Sequence, residues 1–330
     1  MNAVRVTRRG VLGGGAMAAL AACGARPTNV LRSSDTHPSG YPTVSAVEEI
    51  GEALGRLTDG RMSVKVYAGG QLGSERDALE MVTFGALDMT RVNIAPLNSI
   101  EPLTVVPALP FLFTSTEHMR TSLDGPAGRK ILASLEAHGL IGLCFYDSGE
   151  RSFYNTKKPI FTPDDMQGMK IRVPSSDLYV SMIRALGADA TPMYLGEVYQ
   201  SLVQGVIDGA ENNWPSYESG RHYEVAPYYS LTRHVMAPEV LVMSKVRWDV
   251  MSAADRDRLM GAVTASVPSM RQKWDARVRA AQETISASGV EVNEVADLAP
   301  FIEAMEPVWE RFLTSSAQRA LLEEIRGAGS

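Results

Sequence analysis

Stretches of period-two apolar spacing alternate with stretches of helical spacing along almost the whole chain, and this rhythm restricts the fold more than any other feature. Residues 30–34 and 62–67 read as strands, with a helix over 41–57 between them that stops at the turn Thr58-Asp59-Gly60. Gly69-Gly70-Gln71-Leu72-Gly73-Ser74 comes next. It lacks the Lys-Ser/Thr ending of a phosphate loop and the spacing of a dinucleotide turn, whereas Ser74 with Asp77 makes an N-cap pair for a helix over 75–84. A strand at 87–92, a helical segment at 127–138 and a strand at 140–146 continue the series. Such alternation predicts a parallel sheet covered by helices.

A second unit of the same kind starts near Arg151–Tyr154. Thr162-Pro163-Asp164-Asp165 caps a short helix; strands at 169–173, 190–193 and 206–210 enclose helices at 177–186 and 196–204. Two extended segments, 228–235 and 239–244, are placed to carry the chain back to the first unit. From the cap Ser252-Ala253-Ala254-Asp255 a helix runs with few breakers to about 286, which at 1.5 Å per residue is on the order of 50 Å, long enough to lie across both units. An amphipathic tail over 298–325 reads as further helical packing. The predicted class is α/β, in two domains with separate cores: 28–148 plus about 237–275, and 149–236 plus about 276–330.

Residues 1–23 are set apart from this fold as an export signal. Arg5, Arg8 and Arg9 precede a Gly/Ala/Leu run too short to span a bilayer, and Thr7-Arg8-Arg9-Gly10-Val11-Leu12 is twin-arginine-like. Leu20-Ala21-Ala22-Cys23-Gly24 reads as a lipobox that would lipidate Cys23 and tether the protein; an ordinary signal carrying a cysteine is the alternative. Losing 1–22 removes three arginines and no acid, which takes the formal charge from -6 to -9. Nucleic acid, which needs a basic stripe, is therefore not an expected partner. The one later thiol, Cys144, reads as a buried strand residue.

In open parallel sheets ligands bind at the carboxyl ends of the strands. His37, Arg91, Asn93, Arg151, Arg172, Asn212 and Asn213 all fall at such ends. Arg172 is the sharpest: Ile171 and Val173 point to one face, Arg172 to the other, and Pro174 ends the ladder. A guanidinium mounted there can grip a carboxylate through two parallel hydrogen bonds. A structural arginine paired with an acid is the other reading, open for Arg172 and Arg151 alike. Two arginines and two amides at strand ends fit an anionic, hydroxyl-rich ligand. His37 is either an exposed loop residue or a contact, and Trp214 either packing or a ring for a sugar face. Scattered histidines predict no metal site, no cofactor is implied, and no Gly-x-Ser-x-Gly, His-Glu-x-x-His or Cys-x-x-Cys occurs. Ser148 is a weak nucleophile candidate.

Arg151-Ser152-Phe153-Tyr154-Asn155, Met169-Lys170-Ile171-Arg172-Val173-Pro174 and Asp208-Gly209-Ala210-Glu211-Asn212-Asn213 resemble the solute-binding proteins of tripartite ATP-independent periplasmic (TRAP) transporters. The resemblance extends to 69–75, 106–113 and the long helix. It implies a two-domain periplasmic-binding-protein-like fold with crossing strands, no enzyme activity, and a cleft that closes on its solute. The loaded form would then be handed to a small and a large membrane permease subunit. It further implies that Arg172 clamps the ligand carboxylate, Arg151 adds a second cationic contact and Asn212 hydrogen-bonds the ligand. Asp35-Thr36-His37-Pro38-Ser39-Gly40-Tyr41-Pro42 with Asn212-Asn213-Trp214-Pro215-Ser216-Tyr217 is similar to members that bind D-glucuronate or D-galacturonate. That likeness makes His37, Glu75, Arg91, Asn93, Asn213 and Glu239 hydroxyl contacts. A receptor for another organic acid, an exported lyase or hydrolase acting on acidic sugars, and a sensor signalling to a membrane partner are the competing readings.

Overall fold

The structure is a computed structural model and describes residues 29–328. The twin-arginine, lipobox and Cys23 readings lie outside the described residues. From residue 29 the described chain forms β1 (Asn29–Ser34), α1 (Pro42–Leu57), β2 (Met62–Tyr67), α2 (Glu75–Thr83) and β3 (Met89–Asn93). Helices α3 (Thr116–Asp124) and α4 (Pro126–Ser134) lead to β4 (Leu140–Tyr146). Then come β5 (Arg151–Asn155), β6 (Lys170–Val173), α5 (Asp177–Ala185), β7 (Asp189–Pro192), α6 (Val198–Val203) and β8 (Gly209–Asn212). The last part holds α7 (Trp214–Ser219), β9 (Tyr228–Val235), β10 (Glu239–Ser244), α8 (Lys245–Asp249), α9 (Ala253–Ala287), β11 (Glu291–Glu294), α10 (Ala299–Phe312) and α11 (Ser316–Gly327).

Local chemistry accounts for the main elements. Pro42 opens α1, which buries Val44, Val47, Ile50 and Leu54 at helical spacing. Gly51 lets that helix lie directly on β2, since a Cβ there would meet the Val64 backbone nitrogen at 2.9 Å. Ser74 and Asp77 form the reciprocal cap of α2.

The strands form two sheets, ordered β2-β1-β3-β10-β4 and β11-β9-β5-β8-β6-β7. Neither is wholly parallel, a correction to the expected architecture. β10 pairs antiparallel with β3 and β4, and β5 antiparallel with β8 and β9. The cause is that the chain crosses twice between sheets without a helix: 147–150 joins β4 to β5, and 236–238 joins β9 to β10. Because the second crossing returns beside the first in the opposite direction, β10 runs antiparallel to β4 and β9 antiparallel to β5. The fold class is otherwise as expected, α/β with crossing strands and a long helix.

α9 is that helix, 35 residues long. Its Leu259, Val263, Met270 and Trp274 pack in the core of the first sheet, and Ile285 in the core of the second with Tyr154, Tyr217 and Tyr229. Ion pairs Lys273–Glu49 and Arg277–Glu218 fasten it to α1 and α7. The cores are not separate. One apolar cluster runs from Val92, Leu140 and Phe145 of the first sheet to Phe153, Ile171 and Val173 of the second, joined by Phe301, Met305 and Leu321 of α10 and α11. Cys144 is buried, and burial pushes its thiol up to about 12.

Candidate functional site

The two crossings run side by side, and their register decides what meets between the sheets. Glu239, the first residue of β10, stands opposite Tyr146 and Asn93; Arg151, the first of β5, stands opposite Val235. A cavity of ≈ 150 Å³ lies here, lined by His37, Glu75, Arg91, Asn93 and Glu239 from the first sheet's side. Arg151, Arg172 and Asn212 line it from the second. Eight of the ten residues expected at a ligand are thus brought to one cavity.

The other two are not. Asn213 caps α7: its Oδ1 accepts from the Ser216 backbone at 2.8 Å, and its Nδ2 donates to the Ser148 carbonyl and hydroxyl at 2.8 and 3.0 Å. Every polar atom of its amide is spent on holding the backbone. Trp214 packs edge-on against Tyr229, ring centroids 4.5 Å apart, and faces a separate groove behind the crossing with Trp274. A helix beginning at Trp214 turns both residues away from the cavity that Asn212, one residue earlier, still faces. Ser148 lines the cavity, but no histidine hydrogen-bonds to its hydroxyl among the described residues.

The three arginines differ in what holds them. Arg91, at 1 % exposure, is enclosed by acids. Its Nε donates to Asp35 at 3.0 Å, its Nη2 also binds Asp35, and its Nη1 donates to Glu75 and Glu239 at 2.7 Å each. Asn93 completes this cluster, its backbone nitrogen on Glu75 at 3.1 Å and its Nδ2 on Glu239 at 3.2 Å. Arg151 is held one to one by the wholly buried Glu211, with Nε and Nη2 at 2.5 and 2.7 Å from its two oxygens. Its Nη1 donates to Asn212 Oδ1 at 2.9 Å. Burial works to raise the Glu211 carboxyl, but the Arg151 charge and hydrogen bonds, with the His234 ring 3.6 Å away, outweigh it and keep it below the usual range.

Among the described residues Arg172 has no acidic partner. Its Nε and Nη2 both donate to the Met193 carbonyl, at 3.0 and 2.8 Å, and Nη1 makes no hydrogen bond. Of the five N–H groups of a guanidinium, the pair along the Nη1–Nη2 edge is thus left available on a side chain 4 % exposed. Burial, with the Arg151 charge adding to it, pulls its pKa below the usual arginine value. A buried, unpaired cation is costly unless something anionic arrives. The paired-arginine reading therefore describes Arg151 and Arg91, and does not describe Arg172.

His37 is buried rather than exposed. Its ring stacks on Tyr41 at 3.8 Å, and burial, with Arg91 adding to it, lowers its pKa to about 3. The imidazole is therefore neutral, and its two ring nitrogens form no hydrogen bond among the described residues, leaving one donor and one acceptor for a ligand. Asn212 likewise keeps its Nδ2 free while its Oδ1 is taken. Sequence reasoning passed over Asp35, Thr36 and Glu211. Just past β1, Thr36 lines the cavity and Asp35 holds Arg91, and Glu211 shares a strand with Asn212; a carboxylate in a strand beside an arginine-bearing one was the available signal.

The cleft is closed in this structure. Tyr41 Oη lies 3.1 Å from Ser216 Oγ, Ser176 Oγ donates to Asn98 Oδ1 at 2.9 Å, and Tyr194 fits against Gly70, where a Cβ would collide with it. Gly70 also has φ of +69°, so both its conformation and this contact call for glycine.

Residues 33–316 match the profile of the family described as bacterial extracellular solute-binding protein, family 7. A solute-binding protein of Chromohalobacter salexigens is 42% identical over 300 residues, 91% of this chain and 89% of its own length. A TRAP periplasmic solute-binding protein from a Bradyrhizobium species, solved in complex with α/β-D-galacturonate, superposes with a TM-score of 0.89 at 49% identity, covering 91% of this chain and all of that one. One from Chromohalobacter salexigens with bound D-glucuronate gives 0.87 at 42% identity, covering 90% and 99%. These relatives are solute-binding proteins, and this chain belongs to their family, the extracellular solute-binding proteins of TRAP transporters.

Proposed function

We propose that the protein captures a hexuronate, D-galacturonate or D-glucuronate, on the outer side of the cytoplasmic membrane and presents it to a TRAP permease of one small and one large subunit. The observation that carries the ligand is the free edge of Arg172. A uronate carboxylate fits there with two parallel charge-assisted hydrogen bonds, and Asn212, His37, Glu75 and Glu239 supply the mixed donors and acceptors that sugar hydroxyls need. Relatives 41% to 49% identical are solved with galacturonate or glucuronate bound, which supports the same class. Arg151 acts through its charge and through Asn212, because Glu211 occupies its fork. The lobes built on the two sheets close as a hinge at 147–150 and 236–238. Periplasmic residence and a lipid anchor at Cys23 complete the proposal.

Thermal-shift screening against sugar acids, keto acids and amino acids tests the ligand class. A uronate at a hundred times its dissociation constant adds about 2.7 kcal/mol of stability. A shift with a keto acid or an amino acid and none with any uronate would overturn the proposal. Mass spectrometry of the mature N-terminus tests the anchor.

A further inference from the structure

The buried charges around the cavity do not suit a site that is to receive another anion. Arg151 and Glu211 balance each other, and Arg172 awaits one carboxylate. Arg91, however, is the single guanidinium among three carboxylates, Asp35, Glu75 and Glu239. Fully ionised, that cluster of two buried carboxylates, Asp35 and Glu239, and a partly buried one, Glu75, would hold two uncompensated negative charges beside the place where the ligand carboxylate meets Arg172. Charges so placed are neutralised or paired.

The hydrogen bonds single out where a proton can sit. Asp35 accepts from Arg91 Nε and Nη2, the His37 backbone and the Thr43 hydroxyl. Glu239 has a donor on each oxygen, Arg91 on one and Asn93 on the other. Glu75 takes both of its donors, Arg91 and the Asn93 backbone, on Oε1, leaving Oε2 with no partner among the described residues on a residue that lines the cavity. A hydrogen on Oε2 displaces no existing bond and is available to a ligand. Burial raises the Glu75 pKa, Arg91 opposes this, and Glu239 and Asp35 add to it.

We propose that capture of the sugar acid is linked to a proton held on Glu75, so that in the loaded cleft this residue is a neutral carboxyl donating from Oε2 to a ligand hydroxyl or ring oxygen. This rests on the sugar-acid reading above. Besides the acids and Arg91, the groups facing Glu75 are His37, Tyr194, Arg172 and, on its own helix, the exposed Arg76. His37 is neutral with its pKa at about 3, burial raises that of the Tyr194 hydroxyl, and guanidiniums stay charged well beyond pH 9. None of these changes state between pH 6 and 9. Because the arriving carboxylate favours the protonated form, affinity is greatest at low pH within that range and is lost as pH rises.

Isothermal titration of the intact mature protein with D-galacturonate, at pH 6 to 9 and in two buffers of different ionisation enthalpy, tests this. Affinity should fall with rising pH, approaching about tenfold per unit at the alkaline end, with uptake of up to one proton. Glu75→Gln should bind with a flat profile and no uptake, while His37→Asn, weaker overall, keeps the slope. Wild-type binding with a flat profile and no uptake overturns the proton link but leaves the ligand intact. Uptake that survives Glu75→Gln and vanishes in His37→Asn overturns the assignment to Glu75. Failure of the wild type to bind at any pH removes the sugar-acid reading and the proton with it. The wild-type buffer comparison decides the link even if a variant does not fold.

Discussion

Arg91 and Arg172 are both buried guanidiniums on strands that border one cavity, and their surroundings are opposite. Arg91 stands among three carboxylates; Arg172 touches a carbonyl oxygen and no acid. Either arginine, taken from its place in a strand, looks like a ligand clamp. The difference teaches that burial and position identify a site only after the charges are counted. A satisfied arginine arranges other groups, whereas an unsatisfied one is held ready for an anion.

The comparison breaks most visibly at Arg91. Arg91→Met leaves the buried carboxylates of Asp35 and Glu239, and the partly buried one of Glu75, without their cation, and urea unfolding of the ligand-free protein should show a loss of about 3–5 kcal/mol. Arg172→Met should leave ligand-free stability at the wild-type value or above it, because it deletes a buried charge whose partner among the described residues is a carbonyl and not an acid. A loss as large as that of Arg91→Met would erase the contrast.

Acid probes the same contrast through two histidines. His37 is buried beside Arg91 and His222 is buried within the field of Arg172; burial first and those charges second bring both to about 3 from 6.5. In the unfolded chain each takes a proton below pH 6.5, and in the folded protein neither does until about 3. Their contribution is therefore complete above 6.5 and is lost as pH falls. Between pH 6.5 and 5 the loss should be about 2 kcal/mol for each, read as urea-unfolding free energies. His37→Asn should remove its share, and an unchanged acid response would show that His37 is not the group concerned.

Smaller effects sharpen the ligand side. Arg172→Lys should weaken uronate binding at least about tenfold, or about 1.4 kcal/mol, because an ammonium has no planar edge to offer a carboxylate. Titration calorimetry checks this, and wild-type affinity would take Arg172 out of the ligand's reach. Trp214→Phe should change affinity by less than about twofold, since the ring lies on Tyr229 outside the cavity. A larger loss would reinstate the ring as a sugar platform.

The strands were legible where alternation is strong: β2, β4, β9 and β10 have the expected ends. β8 was not. The expected strand over 206–210 followed Val206 and Ile207, but Val206 is exposed and the strand runs on through Glu211 and Asn212. It can do so because Gly209 lets β5 approach closely and Arg151 neutralises Glu211, neither of which apolar spacing reveals. β5 escaped for the same reason, its Arg-Ser-Phe-Tyr-Asn being polar yet buried throughout. Arg172 was readable because Pro174 marks the end of its ladder. The pairing of Arg91 with Asp35 joins residues 56 positions apart, and only the register of β1 and β3 brings them together.

The paired crossings carry one more implication. Two bodies on a single tether can swivel freely, and each encounter must search for its orientation anew. In the proposed hinge motion, two neighbouring straps, the spar of α9 and the apolar cluster that α10 and α11 share with both sheets restrict the bending directions, so each closing stroke would return the halves of the pocket to the same alignment. Little rotational freedom would then be left to lose when the solute is enclosed, and a receiving permease would meet one reproducible closed outline.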